Sequence, residues 1–363
     1  MTALLALPTP RDEAWRWSDL SALPEIAARA PSGAVPDALP WLDCGAGPRL
    51  LFVDGRFDAA RSDPGPVAVG SVGGTASEHP LGRLAESTGW SLRLGADHAP
   101  PGIVQIIHVS TGAVDHLAAE ITLDADAQAS VVETYLGSGW TNRRTAFRLG
   151  RGARLMLARR LGGENGFVSL TDNAEIGEGG SFVATILAAG GRDSRLDGTI
   201  EIAGEAGFAE FGGALLARGR QRHDANLVLR HAAPSGASRQ LWRSVADDKA
   251  ICSVAARVEV ARAAQKTDGE QSLKGLLLSR SATINAKPEL EIFADDVKCA
   301  HGATVGELDR NALYYLRTRG IGEAEAKALL TRAFVADAID RIGEVAVREA
   351  FHAGAVAWLG GAG

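Results

Sequence analysis

Cysteine, aromatics, positive charge and long apolar runs are all in short supply in this chain of 363 residues. Three cysteines, Cys44, Cys252 and Cys299, are too few for a disulfide framework, and an odd number leaves one unpaired. Such usage fits a reducing compartment, and the expected location is cytoplasmic. Aromatic residues make up only 6%, which argues against a few large aromatic cores. No run approaches the roughly 18 apolar residues of a membrane helix. Met1 to Trp17 lacks a basic leader region and carries Pro8, Pro10, Asp12 and Glu13, so a signal peptide is not expected. Lys and Arg total 38 against 44 Asp and Glu, a net charge of −6. A general nucleic-acid binder would show the opposite balance.

Several chemical motifs are missing too. Without G-x-x-x-x-G-K-[ST] the chain is not itself a P-loop ATPase. Without C-x-x-C or H-E-x-x-H it has no self-contained zinc site of the usual spacing. It also has no G-x-S-x-G nucleophile elbow.

Glycine is plentiful, at 43 residues, and the middle of the chain repeats. An apolar–x–apolar pair recurs as Ile121/Leu123, Phe147/Leu149, Ala174/Ile176, Ile200/Ile202, Leu227/Leu229, Val258/Val260 and Ala282/Ile284. The second members are spaced by 26, 27, 26, 27, 31 and 24 residues. Tight corners follow the pairs, among them Asp124-Ala-Asp-Ala, Gly150-Arg-Gly-Ala, Gly177-Glu-Gly-Gly and Ala203-Gly-Glu-Ala. Period-2 alternation marks strands. Strands this short and evenly spaced leave no room for helical crossovers. The expectation is a mainly β fold, a parallel β-helix (solenoid) whose coils stack and pair along the axis, with a β-sandwich as the alternative.

The ends differ from the middle. Residues 1–45 read as an N-terminal arm or cap, with a short amphipathic stretch from Glu13 to Leu20. The β-helix core is expected over 46–304. Residues 305–363 then turn to a 3.6-residue period and form a C-terminal α-helical module. Its helices are expected over Glu307–Arg319, Glu323–Ile342 and Glu344–Leu359. Leu330, Phe334, Ala338 and Ile342 make one apolar stripe on the second.

The densest polar segment runs from Lys287 to Thr304 and holds Glu289, Glu291, Asp295, Asp296, Lys298, Cys299 and His301. On an extended strand Cys299 and His301 share a face, about 6.5–7 Å apart. That is too far for a direct thiolate–imidazolium pair. It suits two ligands reaching one metal or cluster from the same side, with further ligands from elsewhere. The alternative is a buried structural cysteine and a hydrogen-bonded histidine closing the last coil. His79, His98, His108, His223 and His231 read as structural or solvated. Arg218, Arg220, Arg222 and Arg230 read as a solvated sheet face.

The stretch from Ala264 to Ala333 resembles the SufB/SufD family of iron–sulfur cluster assembly proteins. The matching motifs, in order, are Ala264-Gln-Lys-Thr-Asp-Gly-Glu-Gln271, Leu276-Leu-Leu-Ser279, Lys287 through Thr304, and Tyr314-Tyr-Leu-Arg-Thr-Arg-Gly-Ile321. Weaker matches lie at Glu13-Ala-Trp-Arg-Trp-Ser-Asp19, Thr141-Asn142 and Ser238-Arg-Gln-Leu-Trp-Arg243. The likeness is greatest to the SufD branch, since SufB chains carry a different sequence in place of Lys298-Cys-Ala-His-Gly. Three departures stand out: few residues precede Glu13, Gly269 stands where Ala is usual, and Gly275 where Asn commonly stands.

The resemblance implies a right-handed parallel β-helix and a non-ATPase scaffold subunit of the SUF complex, not an enzyme. That subunit pairs with SufB and docks the ATPase SufC through its C-terminal helices, where Tyr314, Tyr315, Leu330 and Phe334 fall. It implies no stably bound cofactor in the chain alone, and a transient iron or iron–sulfur cluster at the heterodimer interface. Cys299 and His301 map there as metal ligands. Three cysteines cannot supply four thiolates while serving elsewhere in the chain, so ligands from the partner are required. Other readings are a homodimeric interaction module without metal chemistry and a carbohydrate-active β-helix enzyme. The enzyme reading is weak, because its candidate acids Asp295 and Asp296 are neighbours and strand neighbours face opposite ways.

Overall fold

The protein is described from a computed structural model that covers residues 7–73, 77–85, 87–163 and 165–360. Residues 1–6 of the expected N-terminal arm lie outside it. Among the described residues the strands form one ten-stranded and one nine-stranded sheet. From Thr88–Leu94 onward consecutive strands alternate between the two sheets, and each pairs in parallel with the strand one coil away. The result is a parallel β-solenoid of about eight turns with C-terminal helices.

The strands are longer than the sequence pattern suggested, eight to ten residues from Val114–Leu123 onward. Both of their faces are covered along much of their length, so apolar residues occur at outward positions too and blur the alternation. Two repeat units are also displaced. The register runs Ile202↔His231↔Val260↔Ile292. The counterpart of Ile200/Ile202 is therefore Leu229/His231, and that of Val258/Val260 is Leu290/Ile292. His231 hides the pattern because it fills an inward apolar position, held by a 2.8 Å hydrogen bond between its Nε2 and Ser238 Oγ.

The corners carry a ladder of their own. Asp97, Asp126, Gly152, Gly179, Ala206, Ser235 and Lys266 all take φ of 55–66°. Each donates its N–H to a carbonyl of the next corner at 2.5–3.1 Å. That bond, repeated coil after coil, demands a left-handed residue whether or not glycine is there.

The interior changes along the axis. The early coils bury an ionic network. Arg143 Nη2 donates to His108 Nδ1 at 3.0 Å, His108 Nε2 reaches Glu133 Oε1 at 3.4 Å, and Arg159 Nε donates to Glu133 at 2.5 Å. Arg143 also pairs with Asp115, and Arg159 with Asp172. Burial tends to raise the Glu133 carboxyl, but Arg159 and His108 outweigh it and hold it near pKa 2. The middle coils carry a column of tilted aromatic rings, Phe147, Phe182, Phe211 and Trp242, at centroid separations of 5.0–6.4 Å.

Both outer faces are clad. On the nine-stranded sheet the N-terminal arm lays Trp15, Leu20, Leu23 and Ile26 against Trp140 and Phe167. The expected amphipathic stretch is a single 3-10 turn, Glu13–Trp15, followed by helix α1, Leu23–Ala27. Arg195 clamps the arm by donating to Ser18 Oγ at 2.9 Å and to the Ala14 carbonyl at 2.8 Å, under the Trp15 ring.

The C-terminal part forms α2, Arg310–Thr318, α3, Glu323–Ile339, and α4, Val345–Trp358; α3 and α4 lie on the ten-stranded sheet, and α2 packs against α3. The last strand runs to Glu307, so α2 begins later than expected. The face of α3 that meets the sheet is Thr331, Val335, Ala338 and Ile339, with Ile342 beyond; Leu330 and Phe334 are only half-buried. Half of the expected stripe, Ala338 and Ile342, is thus buried, and Phe334 packs at its margin. Arg341 fixes the module with a bidentate pair to Glu210 at 2.6 and 2.7 Å, and Asp337 pairs with Arg243.

The corner ladder predicts opposite effects for two small changes. Ala206→Gly should stabilise the fold by about 0.5–1 kcal/mol and Gly179→Ala should cost a similar amount, since L side chains resist this conformation. Urea unfolding would show it, and equal signs for the two would refute it. A second prediction concerns pH. Burial holds His223 down to about 4, whereas an unfolded histidine titrates near 6.5. The unfolded chain therefore takes up the proton first, and this residue's contribution to stability falls as pH drops from about 6.5 to 4, by up to about 1.4 kcal/mol per pH unit. Burial pushes Asp224 up to about 6, which acts in the opposite direction. The stability gap between the wild type and His223→Gln isolates the histidine, and it should narrow across that window. A constant gap would mean the ring is not held neutral.

Candidate functional site

A solenoid has two ends, and here they differ. At the beginning, Arg56–Phe57 and Val67–Ser71 close the sheets with antiparallel pairings. At the far end, Thr283–Ile292 and Lys298–Glu307 are the edge strands of the nine- and ten-stranded sheets, and no further coil covers them. Every residue of the last strand is exposed except the half-buried Cys299. Large apolar side chains stand free here: Ile292, Phe293, which is 59% exposed, and Val305.

Cys299 and His301 lie on this last strand and face inward, in register with Gly269 and Gln271 of the preceding coil. The structure thus places both on one face of one strand, as the sequence suggested. Cys299 packs against the edge of the core. Burial pushes its thiol up, and the Gly269 backbone N–H partly opposes this. Glycine at 269 leaves room for the sulfur. A Cβ there would sit 3.3 Å from Cys299 Sγ and 3.6 Å from Ser238 Oγ, closer than carbon and sulfur normally approach. His301 is exposed at the mouth. Among the described residues no group of three or more His, Cys, Asp or Glu side chains converges as a metal site. Cys299 and His301 therefore stand on one open edge without further such side chains gathered around them among the described residues.

The neighbouring acids serve other ends. Glu289 pairs with Lys287 at 3.2 Å, and Lys287 with Glu13 of the N-terminal arm at 3.1 Å. Asp295 and Asp296 sit in the exposed corner between the two edge strands, where the Asp296 N–H donates to Gln265. Both are exposed. His108, His223 and His231 are buried and structural. Arg218 lies over the Trp358 ring and Arg230 pairs with Glu259.

Away from this end, Tyr314 and Tyr315 of α2 are 72% and 57% exposed. An open groove of 650 Å³ between α3 and α4 is lined by Leu329, Ala333, Ala336, His352 and Val356. Sequence reasoning missed Gln271, Ile292, Phe293 and Val305 at the open end. Their special status comes only from being last in the stack, and no residue pattern announces that.

The chain is an open-ended β-solenoid with Cys299 and His301 on its final strand and helices clad on one flank. The chain belongs to the SufBD family: residues 107–334, more than half of it, match "SUF system FeS cluster assembly, SufBD core domain". It is similar to the iron–sulfur cluster assembly protein SufD of Escherichia coli, 27% identical over 94% of this chain and 87% of that protein. An iron–sulfur cluster assembly SufBD family protein of Synechocystis is 40% identical over 38% of this chain, and SufD of Plasmodium falciparum 32% identical over 45%. Those two matches span only 30% and 11% of the relatives' own lengths. Among the described residues no helix is long and apolar enough to cross a membrane.

The three thiols differ enough to be told apart. Cys252 is fully buried and burial pushes its thiol far up; Cys44 and Cys299 are half-exposed and raised less. Alkylation of the native chain, read by mass spectrometry, should label Cys44 and Cys299 slowly and Cys252 only on unfolding. Early labelling of Cys252 would contradict this packing.

Proposed function

We propose that this chain is the SufD-type scaffold subunit of an iron–sulfur cluster assembly complex and is not itself an enzyme. The observation that carries the reading is the uncovered last coil, with Cys299 and His301 on its inward face. Unpaired strand edges are templates for another chain. A partner of the SufB type would add strands to both sheets and bury Ile292, Phe293 and Val305. It would also bring the missing ligands opposite Cys299 and His301. Iron or a nascent cluster is the cargo at that junction, with a neutral imidazole and a thiolate as this chain's donors. A SufC-type ATPase would dock on the helical module. Tyr314 and Tyr315 offer exposed aromatic anchors there, with Leu330 and Phe334 half-buried beside them.

A second copy of this chain can use the same edges, so a homodimer is the expected state when no partner is present. As a final state without metal chemistry, that homodimer is the competing reading.

The test is to mix the chain with SufB- and SufC-type partners from one source and read assembly by size exclusion with light scattering. Phe293→Asp should weaken binding to the SufB-type partner by more than about tenfold and leave the SufC-type partner bound. Tyr314→Ala with Tyr315→Ala should do the reverse. His301→Ala should keep both complexes and lower cluster assembly. If the unaltered chain ignores both partners and remains a dimer, the interaction module is the better description.

A further inference from the structure

A side-chain ladder runs up the inside of the ten-stranded sheet toward the open end. Gln240 and Gln271 stand in register on neighbouring strands, and His301 is next in line on the last strand. Both glutamines are buried. Gln240 Nε2 donates to the Arg257 carbonyl at 3.1 Å. Gln271 Nε2 donates to Gln240 Oε1 at 3.0 Å and to the Ala256 carbonyl at 2.8 Å. With both its protons engaged below, the Gln271 amide cannot turn over without losing both bonds. Its Oε1 is buried and has no partner. A buried carbonyl of this kind is costly to leave unpaired. His301 is one strand spacing away, about 4.8 Å, and its ring makes no hydrogen bond among the described residues.

We propose that Gln271 is a positioning residue: its Oε1 accepts the ring N–H of His301 and thereby fixes the tautomer. Rotation of the exposed imidazole onto the ladder is all that is needed. One nitrogen then holds its proton against Gln271, and the other presents its lone pair to the open edge. Metal-binding histidines are commonly oriented in this way by an acceptor on the second nitrogen. The purpose assigned to the bond rests on the reading of His301 as a ligand, while the bond itself can be tested without any metal.

The experiment is nitrogen-15 NMR of histidine-labelled full-length chain, with the neutral ring of His301 assigned by its loss in His301→Gln. The expected result is a single tautomer whose ring N–H exchanges slowly with solvent. Gln271→Leu should give mixed tautomers and fast exchange. Gln240→Leu loosens the same ladder one coil deeper but keeps the Gln271 carbonyl, so the single tautomer should survive. Mixed tautomers in the unaltered chain, or a single tautomer persisting in Gln271→Leu, would overturn the proposal. The unaltered chain decides even if Gln271→Leu fails to fold. Iron(II) titration of the complex with the SufB-type partner then separates bond from purpose. Gln271→Leu should weaken iron binding by about tenfold or more. Unchanged iron binding in His301→Ala would remove the ligand reading and leave the hydrogen bond standing.

Discussion

A parallel strand in a solenoid satisfies its backbone only when a coil lies on each side, and that requirement organises the molecule. At the beginning it is met by two short antiparallel strands, Arg56–Phe57 and Val67–Ser71. At the end it is not met by anything in the described chain. The helices that follow Glu307 could have folded over the open coil, but α3 and α4 lie on the flank of the ten-stranded sheet instead. Arg341 and Asp337 hold α3 there through Glu210 and Arg243. The N-terminal arm likewise covers a face, and only Glu13 reaches toward the end through Lys287. The cladding leaves both terminal edges uncovered, and Cys299 and His301 sit on one of them.

The same stacking that exposes the end dries the inside. Charges enter the early coils only in compensated form, as Asp115–Arg143 and Glu133–Arg159–Asp172. Such a network is costly to break by removing one member, because a buried charge is left alone. The aromatic column of Phe147, Phe182, Phe211 and Trp242 then separates this network from the open end. From the coil of Trp242 toward the open end, the polar groups inside include neutral amides and hydroxyls: Ser238, Gln240 and Gln271.

Much of this was legible in residues alone. The 26- to 27-residue spacing found the coils, and the corner sequences found the turns, because both reflect one local geometry used repeatedly. The pattern slipped at His231 and in the coil before Ile292, where a buried histidine and a longer corner interrupt it. The helix stripe held at Ala338 and Ile342, but Thr331 and Val335 are buried where Leu330 and Phe334 are only half-buried. Polarity alone does not say which side of a helix meets a sheet.

What the sequence by itself determined is whatever follows from neighbours along the chain. This includes the strand period, the corners, the helical module after the last coil, and the common face of Cys299 and His301. What only the tertiary structure decided is which residues come last in the stack. Ile292, Phe293, Val305 and the free oxygen of Gln271 resemble ordinary interior residues in composition and spacing. Ile292, Phe293 and Val305 stand uncovered because no further coil lies over them in the described chain, and a missing neighbour leaves no trace in local sequence.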